Sequence, residues 1–395
     1  MESCDTKPEA AVISTADAFA ALQGLLGARV LGRMLATSGG LPLAVSMEAP
    51  EAERVSAILP VLDERRRLGR CLEGLIAQPA TLGSILVVDG GSTDGTQALV
   101  RAYAARDARV RLIDASPVPR AWNGKAWNLA CGLAASDPTA GWILTIDADV
   151  VAQPHLVTSL VMHGRAAGLD AFSAAPLLEV SGAAEAALHP AFLATLVYRF
   201  GLPGNVARVA SAVQANGQCF LARRELLVAT GAFAAARSSR CDDVTIARHL
   251  VRRGARLGFY EGSALASVCM YASARECWQN WPRSLALRDA NTTPAELVLG
   301  LADVLFVQAL PLVLTLAMLA CGGRTNSLLF RVNAGLALAR LGVLAGTHRA
   351  YAQPGAAYWL AALADLPVAL RLVQSSFATS HVWRGRTLVA EGMMV

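Results

Sequence analysis

The sequence predicts an α/β protein, with a mostly parallel sheet flanked by helices and a helical, membrane-associated region at its C-terminal end. The first observation is rhythm: short β-branched runs alternate with helix-compatible stretches between residues 55 and 146. Such an alternation builds parallel sheets, because each crossover helix returns the chain to the same end. The second is the position of the acids, which fall at the ends of apolar runs, where ligands of open α/β sheets bind. The third is composition. Of 395 residues only 16% are charged, against about 25% in an ordinary soluble domain. Mean hydropathy is +0.42. Charges are common up to Asp289 and sparse beyond it, so a soluble part should precede an apolar tail.

Taken in order, residues 16–37 are apolar but carry Asp17, Arg29 and Arg33. Two arginines mid-span would cost roughly 2.5–3.5 kcal/mol each on the insertion scale. An interfacial or docking helix is expected, with a poor transmembrane anchor as the other option. The start Met1-Glu2-Ser3-Cys4-Asp5 lacks a basic leader and does not read as a secretory signal. Val55 to Leu59 is a first strand ending at Pro60, followed by a helix with Leu68, Cys71, Leu72 and Ile76 on one face. Ile85 to Val88 is a second strand ending at Asp89, Thr93 to Arg106 a helix, and Val110 to Ile113 a third strand. Trp127 to Ala135 is helical, and Trp142 to Ile146 is a fourth, buried strand. Residues 176–215 are Ala-rich and expected to form amphipathic helices; Cys219 to Ala222 is a short strand and Glu225 to Thr230 a helix closed by Gly231. From Glu296 the character changes. Val304 to Cys321, joined to Leu297 to Leu301, is long enough to span a bilayer, or to be a buried core helix. Segment 328–346 could return as a hairpin, and 355–374 looks interfacial, because Arg331, Arg340, Asp365 and Arg371 interrupt them. Three regions follow: a helical segment over 1–50, an α/β domain over 51–295, and membrane helices and tail over 296–395.

The formal charge of +5 is modest, and Arg65-Arg66-Arg67 and Arg252-Arg253 lack interleaved aromatics. They read as solvated helix ends, and nucleic acid is not an expected partner. The eight cysteines are widely spaced with no Cys-x-x-Cys pair, which argues against a zinc site or redox dithiol and suits a reducing compartment. The six histidines are dispersed as well, and His155 and His163 read as structural.

The most informative segment is Trp142-Ile143-Leu144-Thr145-Ile146-Asp147-Ala148-Asp149-Val150. Alternate residues of an extended chain point the same way, so Asp147 and Asp149 can share a hard divalent cation. Mg²⁺ and Mn²⁺ take one or two carboxylates and complete their shell with phosphates and water. Turn chemistry or a helix cap would use the same residues. Asp89-Gly90-Gly91-Ser92-Thr93-Asp94-Gly95-Thr96 follows a strand and opens a helix. Its glycines, Gly91 among them, let a ligand approach the backbone, and Ser92 or Thr93 can cap the helix. The loop is neither G-x-G-x-x-G nor a Walker loop, which argues against a dinucleotide or ATP-hydrolysing site.

Val55-Ser56-Ala57-Ile58-Leu59-Pro60-Val61-Leu62-Asp63-Glu64, then Val87 to Thr96, then Asp147-Ala148-Asp149 resembles a family-2 glycosyltransferase of GT-A fold, over roughly residues 53–150. The resemblance implies that Pro60, Glu64, Asp89 and Gly91 line a nucleotide pocket, and that Asp147 and Asp149 hold Mg²⁺ or Mn²⁺ on a diphosphate. Asp63 departs from the family's usual Asn. Lys125, in Trp122-Asn123-Gly124-Lys125, resembles the family's Gly-Lys segment beside the donor, although an exposed helix-start lysine would look the same. Cys241-Asp242-Asp243 precedes Gly254, and both acids could simply cap a helix. By the resemblance Asp243 is the catalytic base and Asp242 supports it. Trp278 to Ser284 occupies the place of the family's Gln-x-x-Arg-Trp segment with altered spacing, which implies acceptor or diphosphate roles for Trp281 and Arg283; a membrane-interface belt is the alternative. Asn216-Gly217-Gln218, Tyr358-Trp359-Leu360 and His381-Val382-Trp383-Arg384-Gly385-Arg386 resemble bacterial members that glycosylate carotenoids, hopanoids or ceramide.

The expectation is therefore an inverting, metal-dependent transferase moving a hexose from a UDP- or GDP-sugar to a lipid hydroxyl, carotenoid, hopanoid or other isoprenoid. Its catalytic part would face the cytoplasm at the cell inner membrane. Rival readings are a polyprenyl-phosphate or polysaccharide transferase, a sugar nucleotidyltransferase, and a non-catalytic membrane transporter or scaffold. The nucleotidyltransferase needs a glycine-rich basic loop after the first strand, where this chain has Pro60 to Glu64.

Overall fold

The computed structural model describes residues 14–48, 53–207, 209–239, 241–285, 287–288, 292–378, 380–383 and 386–389. The start Met1 to Asp5, and Arg384 and Gly385 of the tail motif, lie outside them. The chain opens with α1 (Thr15–Thr37), capped by the Ser14 hydroxyl on Asp17 N. Then follow β1 (Val55–Val61), α2 (Arg65–Ile76), β2 (Leu82–Asp89), α3 (Thr96–Ala104), β3 (Val110–Asp114), α4 (Gly124–Ala135) and β4 (Trp142–Ile146). β5 (Val150–Ala152), α5 (Leu156–Ala166), β6 (Ala171–Ala175), β7 (Leu177–Glu179), α6 (Ala183–Phe200) and β8 (Asn205–Val206) continue the fold. β9 (Cys219–Arg223), α7 (Arg224–Thr230), α8 (Ala232–Ala235), α9 (Asp242–Arg252), β10 (Leu257–Glu261), β11 (Ala266–Val268) and α10 (Ala274–Ser284) complete the α/β part.

The main sheet has the order β3-β2-β1-β4-β9-β6-β10-β8. β1, β2, β3 and β4 are parallel neighbours, β9 runs antiparallel between β4 and β6, and β10 is parallel to β6. A smaller sheet includes β7, β11 and β5. Both faces of the main sheet are covered, and the period of two is visible in its cores. Val55, Ala57, Leu59 and Val61 pack with Leu68, Cys71, Leu72 and Leu75 of α2, while Ile58 packs with Ala126 and Leu129 of α4. β4 pairs with β1 only through Ile58, while β1 runs on beside β2 to Val61. Pro60, which lacks an N–H, is tolerated because the β4 side is open there. The carboxyl ends of β1 and β4 thus separate at the switch in strand order, and a crevice opens between them.

Some expectations need correction. Asp147 and Asp149 do not lie on extended chain; they flank a turn between β4 and β5, closed by Val150 N on Asp147 O at 3.1 Å. α3 begins at Thr96, not Thr93, with Gly95 at its N-cap and Asp94 accepting from Thr96 N at 2.9 Å. Ser92 and Thr93 do not cap it; the Ser92 hydroxyl instead receives Asp63 N at 2.8 Å. Within 176–215 only α6 is a long helix, and β7 and β8 are strands.

The C-terminal region begins with α11 (Pro294–Ala302), a π-helical turn over Asp303–Ala309, and α12 (Leu310–Ala320), which form one continuous rod. α13 (Leu328–Thr347), β12 (Tyr351–Ala352), a 3₁₀ stretch Ala356–Ala364, α14 (Asp365–Phe377) and the hairpin β13 (Ser380–Trp383) and β14 (Arg386–Val389) follow. Among the described residues three helices are long and apolar enough to cross a membrane: Pro294–Ala320, Leu328–Ala350 and Ala356–Phe377. By length and hydropathy the third, expected to be interfacial, is long and apolar enough to span as well.

The charges interrupting these segments face one another. Arg340 of α13 pairs with Asp365 of α14 at 2.7 and 3.0 Å, and Gln308 donates to Asp365 at 2.9 Å and to Ala191 O of α6 at 3.0 Å. Arg29 and Arg33 of α1 both pair with Asp303, a charge inside the apolar rod. Gln23 of α1 and Asn333 of α13 exchange two amide bonds of 2.9 Å. α1 is thus a docking helix. Its end is locked onto the loop after α6: Leu202 N donates to the Thr37 hydroxyl at 2.9 Å, and a Cβ on Gly40 would lie 2.4 Å from Pro203 O.

Candidate active site

A cleft of about 750 Å³ lies beyond the carboxyl ends of β1 and β4. Its first wall is the turn after β1, Pro60 to Glu64. Asp63 adopts φ of +55°, a left-handed conformation that Asn and Asp tolerate best, and its Oδ1 accepts Thr93 N at 2.8 Å. Asn and Asp can both make that bond. Asp89 is fully buried; its carboxylate accepts from Gly91 N, Ser92 N and Gln97 Nε2 at 3.1, 3.0 and 2.7 Å, and from the Ser92 hydroxyl. Asp89 and Gly91 shape this loop and do not line the cleft, contrary to the expectation for both.

Six expected polar residues converge. Lys125 sits in the first turn of α4, where Asn123 caps Lys125 N at 2.9 Å. Its Nζ lies 2.7 Å from Asp147 Oδ1 and 4.0 Å from Asp242 Oδ2. Burial acts to lower its pKa, but Asp147, Asp242 and Asp243 hold the ammonium well above the ordinary lysine value. Asp149 is pushed up to about 7 by burial first and the neighbouring Asp147 next, partly offset by Arg67. Burial, then the net effect of Lys125 against Asp243 and Asp147, leaves Asp242 raised. Asp243 Oδ2 accepts Gly217 N at 2.8 Å and its Oδ1 accepts Val244 N at 2.8 Å. A Cβ at Gly217 would come within 2.9 Å of Lys125 Nζ and 3.3 Å of Asp243 Cβ, so a larger residue here would displace the ammonium. Gln218 follows, with its amide N on Asn216 Oδ1 at 2.9 Å and its carbonyl on Asp147 N at 3.2 Å.

Asp242 and Asp243 begin α9, and Gly254, with φ of +89°, follows its C-cap Arg253, as the spacing implies. Both residues also line the cleft. Trp281 and Arg283 of α10 also line it. Trp281 is 5% exposed, its ring 4.0 Å from that of His189 and against Phe192 and Tyr271, so it is no exposed interface belt.

The sequence reading missed three contributors. Arg67, taken as a solvated helix end, reaches Asp149 Oδ2 at 3.9 Å and Glu276 at 3.2 Å. Its place in α2, one turn from Glu64, is the signal that pointed inward. Cys241 approaches Asp243 Oδ1 at 2.9 Å. Leu193, Leu196, Val197 and Phe200, spaced as one face of α6, form an apolar far wall.

Among the described residues no cluster of three or more His, Cys, Asp or Glu forms a complete metal cage. The donor set still suits a hard divalent cation. Asp149 Oδ1 is buried without a hydrogen-bond partner beside the Asp147 carboxylate, and two carboxylates with open positions are what Mg²⁺ or Mn²⁺ takes when phosphates complete its shell.

A mostly parallel α/β sheet with its cleft at the β1–β4 switch defines the GT-A architecture. Residues 56–228 match the family described as Glycosyl transferase family 2, and the chain is a glycosyltransferase. The mannosyltransferase PcManGT from Pyrobaculum calidifontis, solved in complex with GDP-Man and Mn²⁺, is similar at 20% identity over 88% of this chain and 99% of that one, with a TM-score of 0.50. S. aureus TarS is 15% identical over 84% of this chain and 56% of that one, with a TM-score of 0.40. TarS 1–349 in complex with UDP-GlcNAc is 13% identical over 86% and 97%, with a TM-score of 0.37. No curated protein matches the chain.

Proposed function

We propose that this glycosyltransferase moves a hexose from a nucleotide diphosphate sugar to a hydroxyl of a lipid, with inversion, at a membrane surface. The observation carrying this reading is the continuity of one cleft, which joins Lys125, Asp147, Asp149 and Asp243 to the apolar face of α6. α6 in turn packs on the apolar C-terminal helices, through Ala191 O on Gln308 among other contacts. A water-insoluble acceptor would reach the acids along that wall, while a soluble donor enters over the turn after β1.

In this reading residues 51–295 bind both substrates and 296–395 anchor the enzyme, with the catalytic part facing the cytoplasm at the inner membrane. Pro60 and Glu64 contact the nucleotide, with Asp89 and Gly91 shaping the loop behind them. Lys125 sets a point charge against the diphosphate. Asp147 and Asp149 would hold Mg²⁺ or Mn²⁺, which when bound neutralises charge on the leaving diphosphate. Asp243 takes the proton of the acceptor hydroxyl as the oxygen attacks from the face opposite the diphosphate, and a single displacement inverts the anomeric carbon. Asp242 keeps Lys125 in place. Gly217 orients Asp243, and Gln218, Trp281 and Arg283 border the acceptor. In this reading the acceptor is a carotenoid, a hopanoid or another isoprenoid alcohol.

Mass spectrometry of lipid extracts from cells with and without the protein tests the reading. A neutral lipid alcohol gaining one hexose mass only when the protein is present is the expected result; a new hexose found instead on a polyprenyl phosphate, or on polysaccharide with the lipid profile unchanged, would overturn it.

The metal reading has its own pH signature. A carboxyl raised to about 7 gives stability that is full below its unfolded value and is lost as pH rises through 7. A cation needs the ionised form and so displaces a proton. Stabilisation of the protein by Mn²⁺ with UDP or GDP should therefore grow between about pH 6 and about pH 8. Thermal shift at fixed Mn²⁺ measures this, and a flat response would remove Asp149 from the metal site.

A further inference from the structure

Three groups hold the carboxylate of Asp243, and one of them is a thiol. Gly217 N donates to Oδ2 at 2.8 Å, Val244 N to Oδ1 at 2.8 Å, and Cys241 Sγ lies 2.9 Å from the same Oδ1. Cys241 immediately precedes α9, lines the cleft, and has Ser284 O of α10 at 3.3 Å as a second acceptor. Burial first, then the Asp243 charge, pushes the thiol well above its ordinary value, so the sulfur keeps its proton and serves as a donor.

We propose that Cys241 is a positioning residue for the proposed base, its S–H fixing the rotamer of Asp243 so that the free lone pairs face the acceptor side of the cleft. The inference rests on the reading of Asp243 given above. Its chemistry follows from how donors tune a carboxylate. Each hydrogen bond to the charged form lowers the basicity of the acid. An S–H is a weaker donor than an O–H. A thiol therefore fixes the carboxylate while leaving it more basic than a serine would. The other charged groups bearing on the pair are Lys125 from α4, whose ammonium interacts with Asp243, and Asp242 beside it at the start of α9.

Two measurements on the purified full-length enzyme in detergent test this. The first needs no acceptor. Iodoacetamide alkylation of Cys241 is followed by peptide mass spectrometry, with the exposed Cys321 as internal reference. Removing the charge in Asp243→Asn should lower the thiol pKa and speed alkylation about tenfold, the effect of one pKa unit. An unchanged ratio of the two cysteines would overturn the proposal. The second measurement is the pH profile of labelled hexose transfer from UDP-glucose or GDP-mannose into membrane lipid. Cys241→Ser should move the acid limb to lower pH, and Cys241→Ala should move it to higher pH with a reduced plateau. Melting curves matching the parent protein, combined with superimposable profiles in both variants, would refute the role. If alkylation responds to Asp243→Asn while that variant still transfers sugar, the thiol coupling stands and the base assignment falls.

Discussion

Asp243→Asn should abolish hexose transfer while leaving metal-dependent donor binding intact, and Asp149→Ala should weaken both. The two outcomes differ because the acids face different substrates. In Asp243→Asn the amide oxygen can keep the Val244 N and Cys241 contacts made by Oδ1, so the start of α9 should hold, while the amide NH2 faces Gly217 N–H and only that one bond is lost. What Asn cannot do is take a proton. A positioned general base is worth about 10²–10⁴-fold, and loss of that order is expected in transfer. Asp149 has an unpartnered buried oxygen beside Asp147, so its loss removes half of the carboxylate pair proposed for the cation. The thermal shift of the Asp149→Ala protein with UDP or GDP and Mn²⁺ should then shrink toward that seen without metal. Normal transfer by Asp243→Asn, or an undiminished Mn²⁺ effect in Asp149→Ala, would contradict these roles.

The order of strands and helices up to residue 146 was legible because each run carries its own period and each ends in a turn signal. Strand neighbours were harder to read. Cys219 to Arg223 announces a strand, but nothing local says that it inserts antiparallel between β4 and β6. The residues that meet in the cleft were legible where they stand close together in sequence: Asp147 with Asp149, Asp242 with Asp243, and Gly217. Others were misread where one residue type has two uses. Asp89 ends a strand as a ligand-binding acid would, yet its partners belong to its own loop. Arg67 stands in a run of three arginines that looks solvated, and only the packing of α2 against β1 turns it toward Asp149. The apolar tail hid its logic in the same way. Arg29, Arg33, Arg340 and Asp365 look like interruptions in single helices and become partners only once the helices meet, with Asp303 the acid that completes the first pair.

That last contact supports the second large effect: Asp365→Ala should destabilise the protein severely, by about 3–5 kcal/mol. The Arg340 and Asp365 side chains are 2% and 1% exposed, so removing the acid leaves a guanidinium buried with no counter-charge. Gln308 would lose its carboxylate acceptor as well. Near the middle of an apolar helix such a charge has no cheap escape, since only long side chains close to helix ends snorkel to water. Because Gln308 also ties the π turn to Ala191 O, the disturbance should reach α6, whose next two turns wall the cleft. Transfer should therefore fall together with the melting temperature in detergent. The double replacement Arg340→Met with Asp365→Leu separates charge from packing. Exchanging a buried ion pair for apolar side chains of similar volume is often neutral or stabilising by 1–4 kcal/mol. The double variant should accordingly melt far above Asp365→Ala and recover transfer. Equal damage in both would mean that the hydrogen bond from Gln308, and not the uncompensated charge, holds α6 against the apolar helices.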